Sequence, residues 1–230
     1  MKTIAVAGGL LASAILLSGC GIAGIAGPNS EESTSYQVTE KIAKLKLSSQ
    51  AGDSVITETD GAAVRVVETL QWHGDEKSKP EHKVEGGTLV LTDTCSDGWM
   101  GCSVHYKIEV PKGTPVELDA GSGNLTLRDL TGDISVRIGS GDVDGAGLAS
   151  RKVVADAGAG NMELKYATAP QDVELKAGSG DIDVVVPDGA YAVRTKVNSG
   201  EASVEVRNDA AAPNKISLTA DSGNVTVKPA

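Results

Sequence analysis

A short glycine-centred pattern recurs six times over the second half of the chain, always in the same phase with an alternation of apolar and polar residues. The copies are Ala120-Gly-Ser-Gly-Asn124, Ile138-Gly-Ser-Gly-Asp142, Ala157-Gly-Ala-Gly-Asn161, Ala177-Gly-Ser-Gly-Asp181, Val197-Asn-Ser-Gly-Glu201 and Ala220-Asp-Ser-Gly-Asn224. The last glycine of each falls at 123, 141, 160, 180, 200 and 223, in steps of 18, 19, 20, 20 and 23 residues. Self-similarity at a step of this size marks a repeat architecture and outranks local propensity. Three, five and seven residues before that glycine stand Ala120, Leu118 and Val116 in the first copy and Ala220, Leu218 and Ile216 in the last. Seventeen of the eighteen such positions are apolar, Thr195 being the exception, and the residues between them are mostly polar. Two and four residues after the glycine the alternation resumes, as in Leu125/Leu127 and Ile182/Val184. A period of two is a strand with one buried face.

Each unit therefore reads as strand, glycine-rich turn, strand and variable loop. One unit cannot bury its own apolar face, but stacked units can, with like positions forming ladders. The expected fold is all-β, a β-solenoid-like stack with about 19 residues per coil. The alternative is a β-sandwich of hairpins in which the Ser-Gly-Asx elements are hairpin turns. Equal steps and equal phase follow from stacking and are not required by a sandwich. The chain has no Phe, two Trp and four Tyr, so the interior must be built from Val, Ile, Leu and Ala, which suits a thin core.

The pattern weakens towards the N-terminus. Ala43 to Leu47 alternates strictly, Val64-Arg65-Val66 alternates after the turn signal Asp60-Gly61, and Gly87-Thr88-Leu89-Val90-Leu91 repeats the spacing after a glycine. Tyr106 to Pro111 reads as a further strand, ended by proline. The charged, aperiodic stretch from Gln71 to Lys83 reads as a protruding loop. No boundary interrupts the β pattern, so residues 36–230 are expected to form one domain, with irregular units over 36–115 and regular ones over 116–228.

The first nineteen residues hold Lys2 and then an apolar run from Ile4 to Leu17. That run is shorter than the roughly 20 residues a bilayer span needs and reads as a signal peptide. Leu17-Ser18-Gly19-Cys20 resembles the bacterial lipobox, which makes Cys20 the expected lipidated residue and places the chain on the extracytoplasmic face of the cell membrane. Two or three acyl chains anchor a protein stably, since each buried CH₂ contributes about 0.8 kcal/mol. Residues 20–35 are small, polar and Gly/Pro-containing, and are expected to be a flexible tether.

Composition also excludes some functions. The chain carries 21 Lys and Arg against 31 Asp and Glu, a net charge of −10. That sign argues against nucleic acid as a partner. Export makes a disulfide between Cys95 and Cys102 the expected state of that pair. It would hold Trp99 and Met100 on a tight tip, where a rigid aromatic makes a good contact anchor. Lys176 and Lys196 are further expected contact residues for a surface protein or polymer of the envelope. The residues after each turn, Asn124, Asp142, Asn161, Asp181, Glu201 and Asn224, could form a weak calcium ladder. Asn and Asp are also what tight turns select. The three His residues have no spacing that makes a metal triad, and nucleophile-elbow and phosphate-loop motifs are missing, so no catalytic residue, metal centre or cofactor is expected.

The Ser-Gly-Asn/Asp repeats from 121 to 224, with the phrases Val-Glu-Gly-Gly-Thr-Leu-Val-Leu at 84–91 and Val-Pro-Lys-Gly-Thr-Pro-Val-Glu-Leu at 110–118, resemble a bacterial β-strand-repeat family of unknown function that carries an adhesin label. The resemblance spans roughly residues 40–228 and implies a solenoid-like fold and residence at the cell surface. The function expected on these grounds is that of a lipid-anchored, adhesin-like structural or interaction protein without catalysis. The alternative is a calcium- or small-ligand-binding surface lipoprotein.

Overall fold

The structure is a computed structural model that describes residues 30–74, 77–94 and 101–230. Among these there are twenty strands and no helix. The regular units supply six strand pairs, the first five of which follow one another directly along the chain. These are β8 (Val116–Ser122) with β9 (Leu125–Arg128), β10 (Ile134–Ser140) with β11 (Val143–Leu148), β12 (Lys152–Ala159) with β13 (Met162–Tyr166), β14 (Asp172–Ser179) with β15 (Ile182–Val186), and β16 (Ala190–Ser199) with β17 (Ala202–Val204). The short β18 (Arg207–Asn208) comes next, and the last pair is β19 (Lys215–Ser222) with β20 (Val225–Pro229). First members of the pairs form one parallel ladder and second members another, which makes two facing sheets. The expected all-β stack is what the chain forms. One residue in two points inward, so Leu118, Val136, Ala155, Leu175 and Leu218 make a single buried row, each at 2% exposure or less.

The stack does not follow chain order throughout. β19 inserts between β14 and β16, and β20 between β15 and β17, so the unit around Gly200 is the terminal coil. That unit is the least able to be sandwiched, because its inward row includes Thr195. A second irregularity has a local cause. Gly145 occupies an inward position without a side chain, and the fully buried Leu148 fills that space across a register shift in β11.

Sequence that looked irregular forms one more coil and a cap. β2 (Lys44–Ala51) and β3 (Ser54–Thr59) stack on β8 and β9 with the same phase and the same positive-φ glycine, here Gly52. Beyond it the sheets change character. On one side β4 (Val64–Trp72) runs antiparallel between β1 (Ser30–Val38) and β7 (Cys102–Pro111), and β7 is parallel to β3. On the other side β6 (Thr88–Thr92) pairs with β2 and forms a hairpin with β5 (Glu81–Glu85). Positive φ at Gly86 and Gly87 gives that hairpin the backbone twist its strands need. Gln71 and Trp72 thus end β4 and Glu81–Lys83 begin β5, where a loop was expected from Gln71 to Lys83. β1 likewise begins at Ser30, inside the segment expected to be tether. Both outer strands, SEESTSYQV and EHKVE, are polar or charged, which blunts the sheet edges against aggregation.

Candidate functional site

Three features of the stack stand out chemically: the row of turns along one side, a buried polar cluster at the N-terminal end, and the coil at the other end. The turn row explains the residue after each glycine. Asn124 Oδ1 accepts the Asp142 N–H at 3.0 Å, Asp142 Oδ1 the Asn161 N–H at 2.7 Å, and Asn161 Oδ1 the Asp181 N–H at 2.9 Å. The row continues in spatial order, with Asp181 Oδ1 accepting from Asn224 N–H at 2.7 Å and Asn224 Oδ1 from Glu201 N–H at 3.1 Å. At the other end Asn124 N–H donates to Asp53 Oδ1 at 2.8 Å, and Asp53 N–H donates to His105 Nδ1 at 3.1 Å. Each rung satisfies the backbone donor of the next, which the interrupted strand ladder would otherwise leave unpaired. Asp53 and His105 belong to this row and escape sequence reasoning. The signal for Asp53 was Gly52-Asp53 with Leu45 and Leu47 at the right spacing before it.

The row alternates Asp53, Asn124, Asp142, Asn161, Asp181 and Asn224. Adjacent rungs lie about 4.8 Å apart, so alternation keeps carboxylates about 10 Å apart, near the Debye length. A cation lying along the row would meet one carboxylate in every two rungs, with one oxygen of it already engaged. Among the described residues no three His, Cys, Asp or Glu side chains converge as a metal site.

At the N-terminal end two inward rows change from apolar to polar. The row through Leu125 continues to Ser54, then Tyr106, then Glu68. The facing row through Ala120 continues to Ser49, with Asp93 just beyond the β2–β6 ladder. All five polar residues are 5% exposed or less. Tyr36 Oη donates to Glu68 Oε1 at 2.6 Å, and Gln50 N–H donates to Asp93 Oδ1 at 3.0 Å. His82 stacks on Tyr36 with ring centroids 4.2 Å apart. Asp93 Oδ2, Tyr106 Oη, Ser49 Oγ and Ser54 Oγ make no hydrogen bond within the described protein. Burial is the main force on acidity here. It pushes the Glu68 and Asp93 carboxyls above their ordinary range and the Tyr36 and Tyr106 hydroxyls upward as well. Ser49, Ser54, Glu68, Asp93 and Tyr106 lie buried between the sheets, while Tyr36 is partly buried and His82 is exposed at the edge.

At the far end the terminal coil is only half covered. β18 and the buried Val206 cover the stretch around Tyr191, and the Asn208 amide pairs with both the N–H and the C=O of Val193, in the manner of a neighbouring strand. From Arg194 to Glu205 the coil lies open. Thr195 and Ala202, which continue buried rows, are exposed, and Val197 and Val204 are only partly buried.

The expected contact residues divide among these features. Lys176 and Lys196 share one outward row with Thr219 between them. Lys176 is exposed and pairs with Glu174 at 2.7 Å. That pairing raises the pKa of the lysine and lowers that of the glutamate. Cys102 opens β7. Cys20, Cys95, Trp99 and Met100 lie outside the described residues.

A family model described as Toastrack DUF4097 matches residues 112–228, just over half the chain. No curated protein matches the sequence. Among solved structures, a candidate cell adhesion protein from Clostridium sporogenes is similar at 13% identity and a TM-score of 0.53, covering 87% of this chain and 99% of its own. A candidate adhesin from Bacteroides fragilis is similar at 16% identity and a TM-score of 0.40, covering 90% of this chain and 100% of its own.

Proposed function

The chain belongs to the Toastrack DUF4097 family, and from that premise we propose that it is a lipid-anchored, adhesin-like protein of the cell surface that presents its β stack to a partner without catalysis. The observation that carries this reading is the polarity of the stack. β1, which follows Cys20 by ten residues, is the outermost strand at one end of its sheet, and β17 of the open coil is outermost at the other. Nine inter-strand steps of about 4.8 Å separate them, roughly 43 Å in all. A ten-residue tether spans at most about 35 Å. An anchor at Cys20 therefore cannot reach past the whole stack, so the charged cap at β1 stays within about 35 Å of the bilayer and the open coil does not stand between them. The fold neighbour from Clostridium sporogenes is named for cell adhesion, which accords with this reading.

The anchor is tested by Cys20→Ala. Wild-type chain is expected to take up an alkyne fatty acid and to partition with membranes, and the variant is expected to lose the label and leave the membrane fraction. Equal membrane retention of an unlabelled variant would remove the lipid anchor from the reading. The Cys95–Cys102 disulfide belongs to the same proposal, because it requires export. Closing its eight-residue loop contributes about 2.5 kcal/mol by chain entropy. Non-reducing peptide mass spectrometry of the exported protein is expected to show the two cysteines linked, and Cys95→Ser to lower stability by about that amount. Two alkylatable thiols in the exported protein would contradict it.

A further inference from the structure

We propose that the open coil docks onto the open coil of a second copy of this chain, end to end, with β16 of each copy pairing antiparallel to β17 of the other. The proposal rests on the polarity argued above only for its consequence at the cell surface, since the docking itself follows from the coil.

The first argument is backbone direction. In a parallel ladder the N–H and C=O of one residue point to the same side, and successive residues alternate. On β16 the Val193 pair points away from the stack, where Asn208 meets it. The pairs of Thr195 and Val197 therefore point outward too. On β17 the Glu201 carbonyl and Glu205 N–H bond to β20, which turns the Ala202 and Val204 pairs outward. A two-fold axis parallel to the strands places β17 of one copy over β16 of the other, running in the opposite direction. That axis leaves position along the strand unchanged. Val197 and Ala202 sit at matching distances from the Gly200 turn, as do Thr195 and Val204. In the register that follows, Val197 faces the second copy's Ala202 and Thr195 its Val204, and the pairing ends at Arg194, because Asn208 already bonds Val193. All four residues have outward-pointing backbone groups, as hydrogen-bonded positions of an antiparallel pair must. Two strand pairs then gain about eight hydrogen bonds.

The second argument is the side chains. The same register puts Thr195, Val197, Ala202 and Val204 of both copies inward, which continues the buried rows across the junction. It puts Arg194 opposite Glu205 and Lys196 diagonally between Glu201 and Glu205. These four charges are exposed, and none takes part in an ion pair among the described residues. The other two-fold arrangement, β16 on β16, would bring Arg194 and Lys196 against their own copies, and like charges directly opposite destabilise a strand pair. Charge complementarity thus selects β16 on β17. With an anchor at the opposite end of each copy, a pair standing upright would join two facing membranes through a homophilic contact.

The test uses the full lipidated chain in detergent, followed by sedimentation velocity. Wild type is expected to dimerise. Arg194→Glu with Lys196→Glu, and separately Glu201→Lys with Glu205→Lys, are each expected to weaken the dimer at least tenfold, while an equimolar mixture of the two variants recovers it. The mixed pair opposes acid to base at both junctions, and a folding defect would not be cured by mixing. A monomeric wild type at 100 µM, or a dimer indifferent to both reversals, would overturn the docking and leave the edge to a foreign strand. Wild type is also placed in phosphatidylcholine–phosphatidylglycerol vesicles. A dimer in detergent that fails to cluster these vesicles would leave the docking in place and overturn the membrane-distal reading instead.

Discussion

Gly160→Ala is expected to destabilise the protein by more than about 4 kcal/mol, a large share of the 5–15 kcal/mol that holds a typical domain together. Two costs coincide at this position. Its φ is +128°, where an L side chain is strained by roughly 1–3 kcal/mol. A Cβ there would also lie 2.1 Å from the carbonyl oxygen of Gly141 in the next coil, which is backbone and cannot rotate away. Relief would require prising two coils apart, at the expense of hydrogen bonds along both sheets. Gly86→Ala is the control, because it too has positive φ, +57°, but a Cβ there meets nothing within 4 Å. Its cost is the left-handed strain alone, about 1–2 kcal/mol. Urea unfolding midpoints compare the two variants. A Gly160 variant within about 1 kcal/mol of the Gly86 variant would mean that the coils are not in backbone contact at the turns.

The same close contact accounts for what the sequence made legible. Stacked turns select glycine, and stacked inward rows select apolar residues, so every regular coil announces itself with the same spacing. Alternation also revealed which face of each strand is buried. The order of the coils was less visible because sequence order and spatial order part at the end of the stack. Two departures from the pattern mark the displaced unit. Thr195 is the one polar residue at the inward positions before the six repeated glycines, and Glu201 replaces the Asn or Asp of the other turns. A terminal rung has no further backbone N–H to receive, so its side chain is released from the short reach of Asn and Asp. The N-terminal polar cluster was not legible. Glu68 and Asp93 look like ordinary surface acids in the sequence, and only antiparallel pairing through β4 and β7 turns Glu68 inward beside Tyr106. The Gln71–Lys83 stretch misled for a related reason. β5 is an edge strand with mostly exposed residues, so it carries no alternation to detect.

Stability is expected to fall as pH rises above about 4, and the double variant Glu68→Gln with Asp93→Asn is expected to remove much of that fall. The sign follows from proton binding. Burial raises both carboxyls above their ordinary values of 4.5 and 3.8, so over the intervening pH range the folded chain binds more protons than the unfolded one. Stability is then fully present below those values and is lost as pH rises through the raised ones. Both substitutions keep the acceptors in use, since an amide oxygen can still receive the Tyr36 hydroxyl and the Gln50 N–H. The new amide hydrogens lie beside Ser49 and Tyr106. Other acids titrate in the opposite sense. Glu117, lowered to about 2 by hydrogen bonds from Lys44 and Lys46, adds stability that is lost as pH falls from 4.5 towards 2. The informative quantity is therefore the difference between variant and wild type at each pH. That difference is expected near zero at pH 4 and in favour of the variant at pH 8, by about 1–2 kcal/mol, within the ordinary range of point substitutions. A variant that loses stability at pH 8 would overturn the argument. It would mean that the two carboxylates are ionised in the folded protein and held by a counter-charge, and the oxygens of Tyr106, Ser49 and Ser54 around them would then be the ligands of a cation.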